Sequence, residues 1–264
     1  MSSAVDISWL TLGLFFTLLA IPLLLNRYYQ LGIGRETLTS VIRMTLQLLL
    51  VGFYLEFLFE YNSLIINIVW MALMLLIGAS AIVSKAKLPK KVLLLPVTFA
   101  LAASLFPLLA VIAVLVVRPQ PLYSAQYLIP LAGMLLGNSM SGNIVALQNV
   151  FTAIEERKSE YEAAIALGAS PSYATLPFIQ DAIRRSLAPT LATMTTSGLV
   201  TLPGMMTGQI LGGASPIVAI KYQILIMVAI FVMMSVSITL SLRLAISRSI
   251  NKQGRVLVSL NQTS

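Results

Sequence analysis

The chain has no cysteine and no histidine, and only 10% of its 264 residues are charged. Without cysteine there is no disulfide framework and no thiol chemistry. With histidine also missing, haem attachment, zinc fingers and Cys/His metal cages are excluded as well. The usual general base near neutral pH is likewise absent. Acidic residues number 9, and none lies centrally in an apolar run.

What the chain has in abundance is apolar surface: 58% of its residues, with a mean hydropathy of +0.92. A soluble domain carries roughly 45–50% apolar and about 25% charged residues. The difference excludes a soluble globular enzyme, a disordered tail and a coiled coil, and predicts an all-α polytopic integral membrane protein. The net charge of +8 reads as membrane topology, not as a nucleic-acid face. The whole chain, 1–264, reads as one transmembrane domain.

Seven apolar stretches stand out, at roughly 7–25, 38–58, 63–83, 92–117, 127–150, 187–214 and 217–243. The first has no basic residue before it and no small-residue cleavage site before Asn26 and Arg27, so it is expected to be a span and not a signal peptide. The fourth contains Pro96 and Pro107 and is expected to kink or tilt. The sixth is too long for one straight span and carries Pro189 and Pro203.

Basic residues alternate between the connections. Arg27 and Arg35 follow the first stretch; Lys85, Lys87, Lys90 and Lys91 the third; Arg157, Lys158, Arg184 and Arg185 the fifth; Arg243, Arg248, Lys252 and Arg255 the last. Of the 17 basic residues only Arg43, Arg118 and Lys221 fall elsewhere. The positive-inside bias places the N-terminus outside and the C-terminus in the cytoplasm, with an odd number of spans, about seven.

The longest polar segment, about 152–185, is then cytoplasmic. Residues 155–167 carry strong helix formers with a polar and an apolar face. Gly168 suits the position after a helix end, and Ser170-Pro171 suits the start of the next helix. A plain reading makes this a surface-lying connector. A sharper one makes it a coupling helix that docks into a soluble partner, carried by Glu162, Ala163, Ala164, Gly168, Ala169 and Ser170.

Gly133, Gly137 and Ser141 recur at intervals of four, as do Gly204, Gly208 and Gly212. Small residues at this spacing let helices approach closely in lipid. They read either as plain packing or as an interface that slides between two states. The fifth stretch is unusually polar, with Asn138, Ser139, Ser141, Asn143, Gln148 and Asn149. Amides in lipid are expected to face the bundle or a watery path. Gln47, Gln209 and Gln223 extend that list, whereas Arg43 and Lys221 can snorkel to the boundaries.

Leu202-Pro203-Gly204-Met205-Met206 breaks the sixth stretch inside its apolar run. Broken backbone at membrane depth is tolerated only against protein or water. The pathway or hinge candidates are therefore Asn138, Ser141, Asn143, Pro203, Gly204, Met205, Met206, Gly208 and Gln209. Met134, Met140, Met194, Met205 and Met206 form either a soft-ion patch or core filling, and core filling is favoured in a chain with 12 methionines. No metal site is predicted.

Gly137 to Gly142 has the glycine spacing of a phosphate loop, but Asn143-Ile144 stands where Lys and Ser/Thr are needed. No nucleotide site is present in this sequence. The chain is not expected to be an enzyme or to bind a cofactor, and any ATP must be hydrolysed by a partner subunit.

These residues carry a family resemblance. The run Gly198 to Gly208, with Leu202-Pro203-Gly204-Met205-Met206 at its centre, resembles the FetB-type ABC transporter permease family. So do Ile129 to Met140, Leu167-Gly168-Ala169-Ser170-Pro171 and Ala219 to Ile224, and the Arg43–Gly52 stretch with Gln47 is similar to the family's second span. The resemblance covers about residues 36–245. It implies a permease subunit in the cell's inner (plasma) membrane, working with a separate ABC ATPase, with two permease copies and two ATPases in the assembly. Bacterial relatives are associated with iron export, plant relatives with aluminium tolerance and nucleotide-sugar transport, so the resemblance leaves the cargo open. With no His or Cys, iron would meet only carboxylates, and Glu56 and Glu60 sit at the outer boundary.

Two other readings compete. An ion-gradient-driven secondary transporter predicts a midplane carboxylate, which the sequence lacks. A membrane enzyme needs an acid–base pair, and none is evident around Asp181 or Glu36. Membrane lipid is an expected partner; nucleic acid is not.

Overall fold

A computed structural model describes residues 6–200, 202–251 and 253–257. Thr201 of the family-like run and Lys252 of the basic terminus lie outside the described residues. Among those described, the elements are helices, in chain order α1 (Trp9–Phe15), α2 (Ala20–Tyr28), α3 (Gly34–Tyr61), α4 (Leu64–Lys85), α5 (Lys90–Val111), α6 (Ala125–Glu156), α7 (Lys158–Ala166), α8 (Pro171–Ala174), α9 (Leu176–Thr196), α10 (Gly204–Leu211) and α11 (Pro216–Ser249). A 3-10 turn, Phe16–Leu19, joins α1 to α2, and the end of the α5 span widens into a π-helical turn, Ile112–Val117.

Six helices are long and apolar enough to cross a membrane among the described residues: Trp9–Tyr28, Gly34–Tyr61, Leu64–Lys85, Lys90–Val117, Ala125–Glu156 and Pro216–Ser249. They establish an all-α, multi-pass membrane protein. The remaining apolar stretch, 187–214, is not one continuous helix. It comprises the second half of α9, ending at Thr196, and α10, which starts at Gly204, with a break between them.

The break has two causes. Gly198 takes a positive φ of +87°, which L side chains rarely adopt, and ends α9. Pro203 sits at the cap of α10, where its missing N–H is no loss. The helix therefore stops a turn before the Leu-Pro-Gly-Met-Met run and resumes at Gly204.

Helices α4, α5, α6, α9 and α11 form the bundle, with one continuous buried core that includes Leu75, Ile82, Leu101, Leu135, Leu147, Met233 and Leu242. Helices α1 and α2 bury no residue, and α3 buries only Leu58. The N-terminal pair thus rides on the bundle. It is attached where Tyr54 meets Trp70, with ring centroids 4.1 Å apart, and where Leu58 packs beside Ala125 and Ile129.

Polar side chains fasten helix ends across the fold. Asn62, left-handed at the end of α3, accepts from the N–H of Ala125 at the start of α6 (2.9 Å). Asn67 donates to the Tyr123 carbonyl at 2.8 Å, and Gln148 to the Lys85 carbonyl at 2.8 Å.

Candidate functional site

Two features sit at opposite ends of α9. The first is the elbow between α6 and α9. Arg157 leaves helical geometry (φ −108°, ψ +35°) and separates α6 from α7 by a single residue. Its guanidinium makes a bidentate pair with Glu160 and lies 4.9 Å from the Phe178 ring centroid, so it ties the start of α7 to the start of α9. Lys158 and Glu162 pair at 3.6 Å on the exposed face, where screening leaves such contacts little weight.

Helix α7 closes with a glycine cap. Gly168 N–H donates to the Ile165 carbonyl (2.9 Å), and Ala169 N–H donates to that of Ala164 (3.0 Å). Gly168 has φ +90° and nothing within 4 Å of where a Cβ would stand, so conformation and not space demands glycine there. Ser170 then caps α8, its hydroxyl accepting from Tyr173 N–H at 3.3 Å, with Pro171 first in that helix.

All six predicted coupling residues fall on this elbow. Glu162, Ala163, Gly168 and Ser170 are exposed, whereas Ala164 and Ala169 are half-buried against the core. The elbow also presents Leu167, 89% exposed, and Tyr173, 72% exposed. Neither is legible in the sequence, because an apolar residue at a helix end reads as core until its surroundings are known. On the opposite side of α7, Tyr161 is buried, and burial pushes its phenol above the ordinary value of 10. It stays a neutral donor.

The second feature is a cleft at the break. One cavity of about 330 Å³ is lined by residues of α6, α9, α10 and α11, among them Met134, Asn138, Thr193, Gly204, Met205 and Gln223. A neighbouring one of about 250 Å³ shares Asn138, Pro189 and Thr190 with it, and adds Gly137, Ser141 and Met234. No charged residue lines either. The Thr190 hydroxyl donates to the Met234 sulfur at 3.3 Å, and the Asn138 amide to the Met134 carbonyl at 2.8 Å. The buried Oε1 atoms of Gln209 and Gln223 have no hydrogen-bond partner among the described residues.

The predicted pathway residues divide. Asn138, Ser141, Pro203, Gly204 and Met205 line the two cavities. Met206, Gly208 and Gln209 lie on α10 outside those linings. Asn143 is fully buried between α6 and α11, where it donates to the Ser139 carbonyl and to the Ser237 hydroxyl, both at 2.9 Å. The glycine stripes divide too. Gly137, Gly204 and Gly208 meet nothing within 4 Å. Of the stripe, Gly133 does approach a neighbour, with a Cβ there 3.3 Å from the Met74 terminal carbon on α4; the tightest approach is at Gly142, where a Cβ would stand 2.5 Å from the Met234 terminal carbon and 3.1 Å from that of Ile238. Thr190, Thr193 and Met227 join the cleft without having been singled out; polar, regularly spaced residues on α9 were the available signal.

Among the described residues no three His, Cys, Asp or Glu side chains converge on a metal position. The cleft can therefore offer hydroxyls, amides, thioethers and the backbone of the helix break.

No solved structure matches. A membrane protein of Synechocystis sp., "UPF0014 membrane protein slr1647", is 35% identical, over 84% of this chain and 86% of that one. "Protein ALUMINUM SENSITIVE 3" of Arabidopsis thaliana is 35% identical over 78% of this chain and 74% of its own. "Probable iron export permease protein FetB" of Escherichia coli is 29% identical over 82% of each. The profile described as "Uncharacterised protein family (UPF0014)" matches residues 9–250, and the chain belongs to that family.

Proposed function

We propose that the chain is the membrane-spanning subunit of an ATP-driven ABC transporter, exporting iron or a related solute with force supplied by a separate ATPase. The observation that carries this reading is the elbow. A capped helix outside the bundle presents Glu162, Ala163, Leu167, Gly168, Ser170 and Tyr173 outward, while its inner face is bound into the helices that line the cleft. The elbow exposes charged Glu162 and apolar Leu167 together. A cleft on an ATPase accommodates both.

In this mechanism the ATPase dimer closes on ATP and pushes the elbows of two permease copies. The push enters α6 and α9 and alternates the access of the uncharged cleft at the α9–α10 break. The broken helix provides both the hinge and exposed backbone groups beside the solute, an arrangement other transporters use at membrane depth. Orientation follows the basic residues, with the elbow in the cytoplasm of the cell that holds this subunit in its inner membrane. The Escherichia coli relative, a probable iron export permease, supports an iron-class cargo. The absence of carboxylates in the cleft leaves related solutes open, nucleotide sugars included.

The test is co-purification with the ATPase, then transport into vesicles with and without ATP. Glu162→Lys combined with Gly168→Pro should abolish both ATPase binding and transport. Survival of both would overturn the coupling role. Uphill transport without ATP that collapses with an uncoupler would favour an ion-gradient carrier.

A further inference from the structure

The segment that follows α11 turns back on the elbow. Ile250 pairs with Val256 in an antiparallel bridge, and Leu257 N–H donates to the Ser249 carbonyl at 2.7 Å. Asn251 closes the turn, its Oδ1 accepting from the N–H of Gln253 (3.1 Å) and of Arg255 (2.7 Å). At the tip, Gly254 has φ +82°.

This tip lies under α7. The Tyr161 hydroxyl donates to the Gly254 carbonyl at 2.8 Å, and the ring is only 2% exposed. One turn further along, Ile165 sits so close that a Cβ on Gly254 would stand 3.1 Å from two of its carbons. Tyr161 and Ile165 share a face of α7, as residues four apart do. Three separate constraints thus bear on one contact: a buried hydroxyl with its acceptor, a backbone conformation that favours glycine, and a neighbour that a side chain would push back by a few tenths of an ångström.

We infer that the turn carrying Ile250, Asn251 and residues 253–257 is the seat of the coupling helix, and that Tyr161 and Gly254 are positioning residues holding α7 against the end of α11. Without the seat, α7 would keep its chain connections, the Arg157–Phe178 contact and the packing of Ala164 and Ala169, and would be freer to swivel under load. With it, a push on the exposed face of α7 enters α6 and α11 together. Those two helices carry the Asn143–Ser237 contact and supply facing walls of the cleft. The inference rests on the transporter reading above.

The chain's lack of cysteine makes a clean test possible. Tyr161→Phe removes only the hydroxyl, Gly254→Val drives the tip away, and Ile165→Cys with Gly254→Cys allows the seat to be closed by oxidation. Each is reconstituted with the ATPase, and solute moved per ATP hydrolysed is compared with wild type at matched complex assembly and melting temperature. Gly254→Val should lower that ratio at least about fivefold, the lower end of usual coupling between sites. Tyr161→Phe should lower it less, and oxidising the cysteine pair should restore a ratio that is low when reduced. If an assembled Gly254→Val complex moves solute at the wild-type ratio, the seat is wrong. If Gly254→Val does not fold, an unchanged ratio in Tyr161→Phe together with no response to oxidation in the cysteine pair overturns it equally. A wild-type pair without ATP-dependent transport would bring down the transporter reading and this one with it.

Discussion

Asn143 on α6 and Ser237 on α11 are both fully buried, and the Asn143 amide donates to the Ser237 hydroxyl at 2.9 Å. The same amide nitrogen donates to the Ser139 carbonyl one turn back. An amide expected to face the bundle or a watery path, and counted among the pathway or hinge candidates, joins two helices of the bundle.

The two sides of this contact should differ in cost. Asn143→Ala removes both amide bonds, leaves the Ser237 hydroxyl only its 3.3 Å bond to the Met234 carbonyl and opens a void, and should cost about 1–2 kcal/mol. Ser237→Ala leaves Asn143 its Ser139 bond and should cost about 0.5 kcal/mol. Thermal melts of the detergent-purified variants, side by side, read the difference.

The glycines of α6 should separate by position. Gly142→Val drives a side chain into Met234 and Ile238, and overpacking of this kind costs about 1–3 kcal/mol. Gly137→Ala meets nothing and should leave the melting temperature unchanged within about 0.5 kcal/mol of stability. Equal melting shifts for both would contradict the packing described.

On the elbow, Leu167→Asp and Tyr173→Ala remove exposed side chains and should leave stability within about 0.5 kcal/mol of wild type. Under the proposed function both abolish retention of the ATPase on an affinity column. Retention at wild-type levels would place the docking surface elsewhere.

Alkaline pH should loosen the seat. The Tyr161 phenol is raised above 10 by burial, so the folded state keeps its proton when the unfolded state has lost it. Its contribution is fully present below about pH 10 and disappears as pH climbs through the raised value. Hydrogen exchange in α7, followed from pH 9 to 11 with intrinsic rates divided out, should show a loss of protection that Tyr161→Phe lacks.

Much of the architecture is legible in the sequence because lipid imposes strict rules on it. The apolar runs near 7–25, 38–58, 63–83, 92–117, 127–150 and 217–243 each became a helix long enough to span, since a backbone in hydrocarbon must satisfy its own hydrogen bonds. The elbow is legible for a different reason: Gly168 and Ser170-Pro171 are local signals, and the caps they make need no distant partner. The site was less so. Asn138 and Asn143 are five residues apart on one polar helix, yet one lines a cavity and the other a helix contact. Their roles depend on which neighbour each faces.

The sequence alone determined the membrane class, the helices and the break near Pro203, because composition and backbone chemistry are local properties. Only the tertiary structure decided that Gly142 and not Gly137 is the point of close approach, that Leu167 and Tyr173 are exposed, and that Tyr161 rests on Gly254, 93 residues further on. Each of these is a matter of which surface meets which, and that is settled only when the helices assemble.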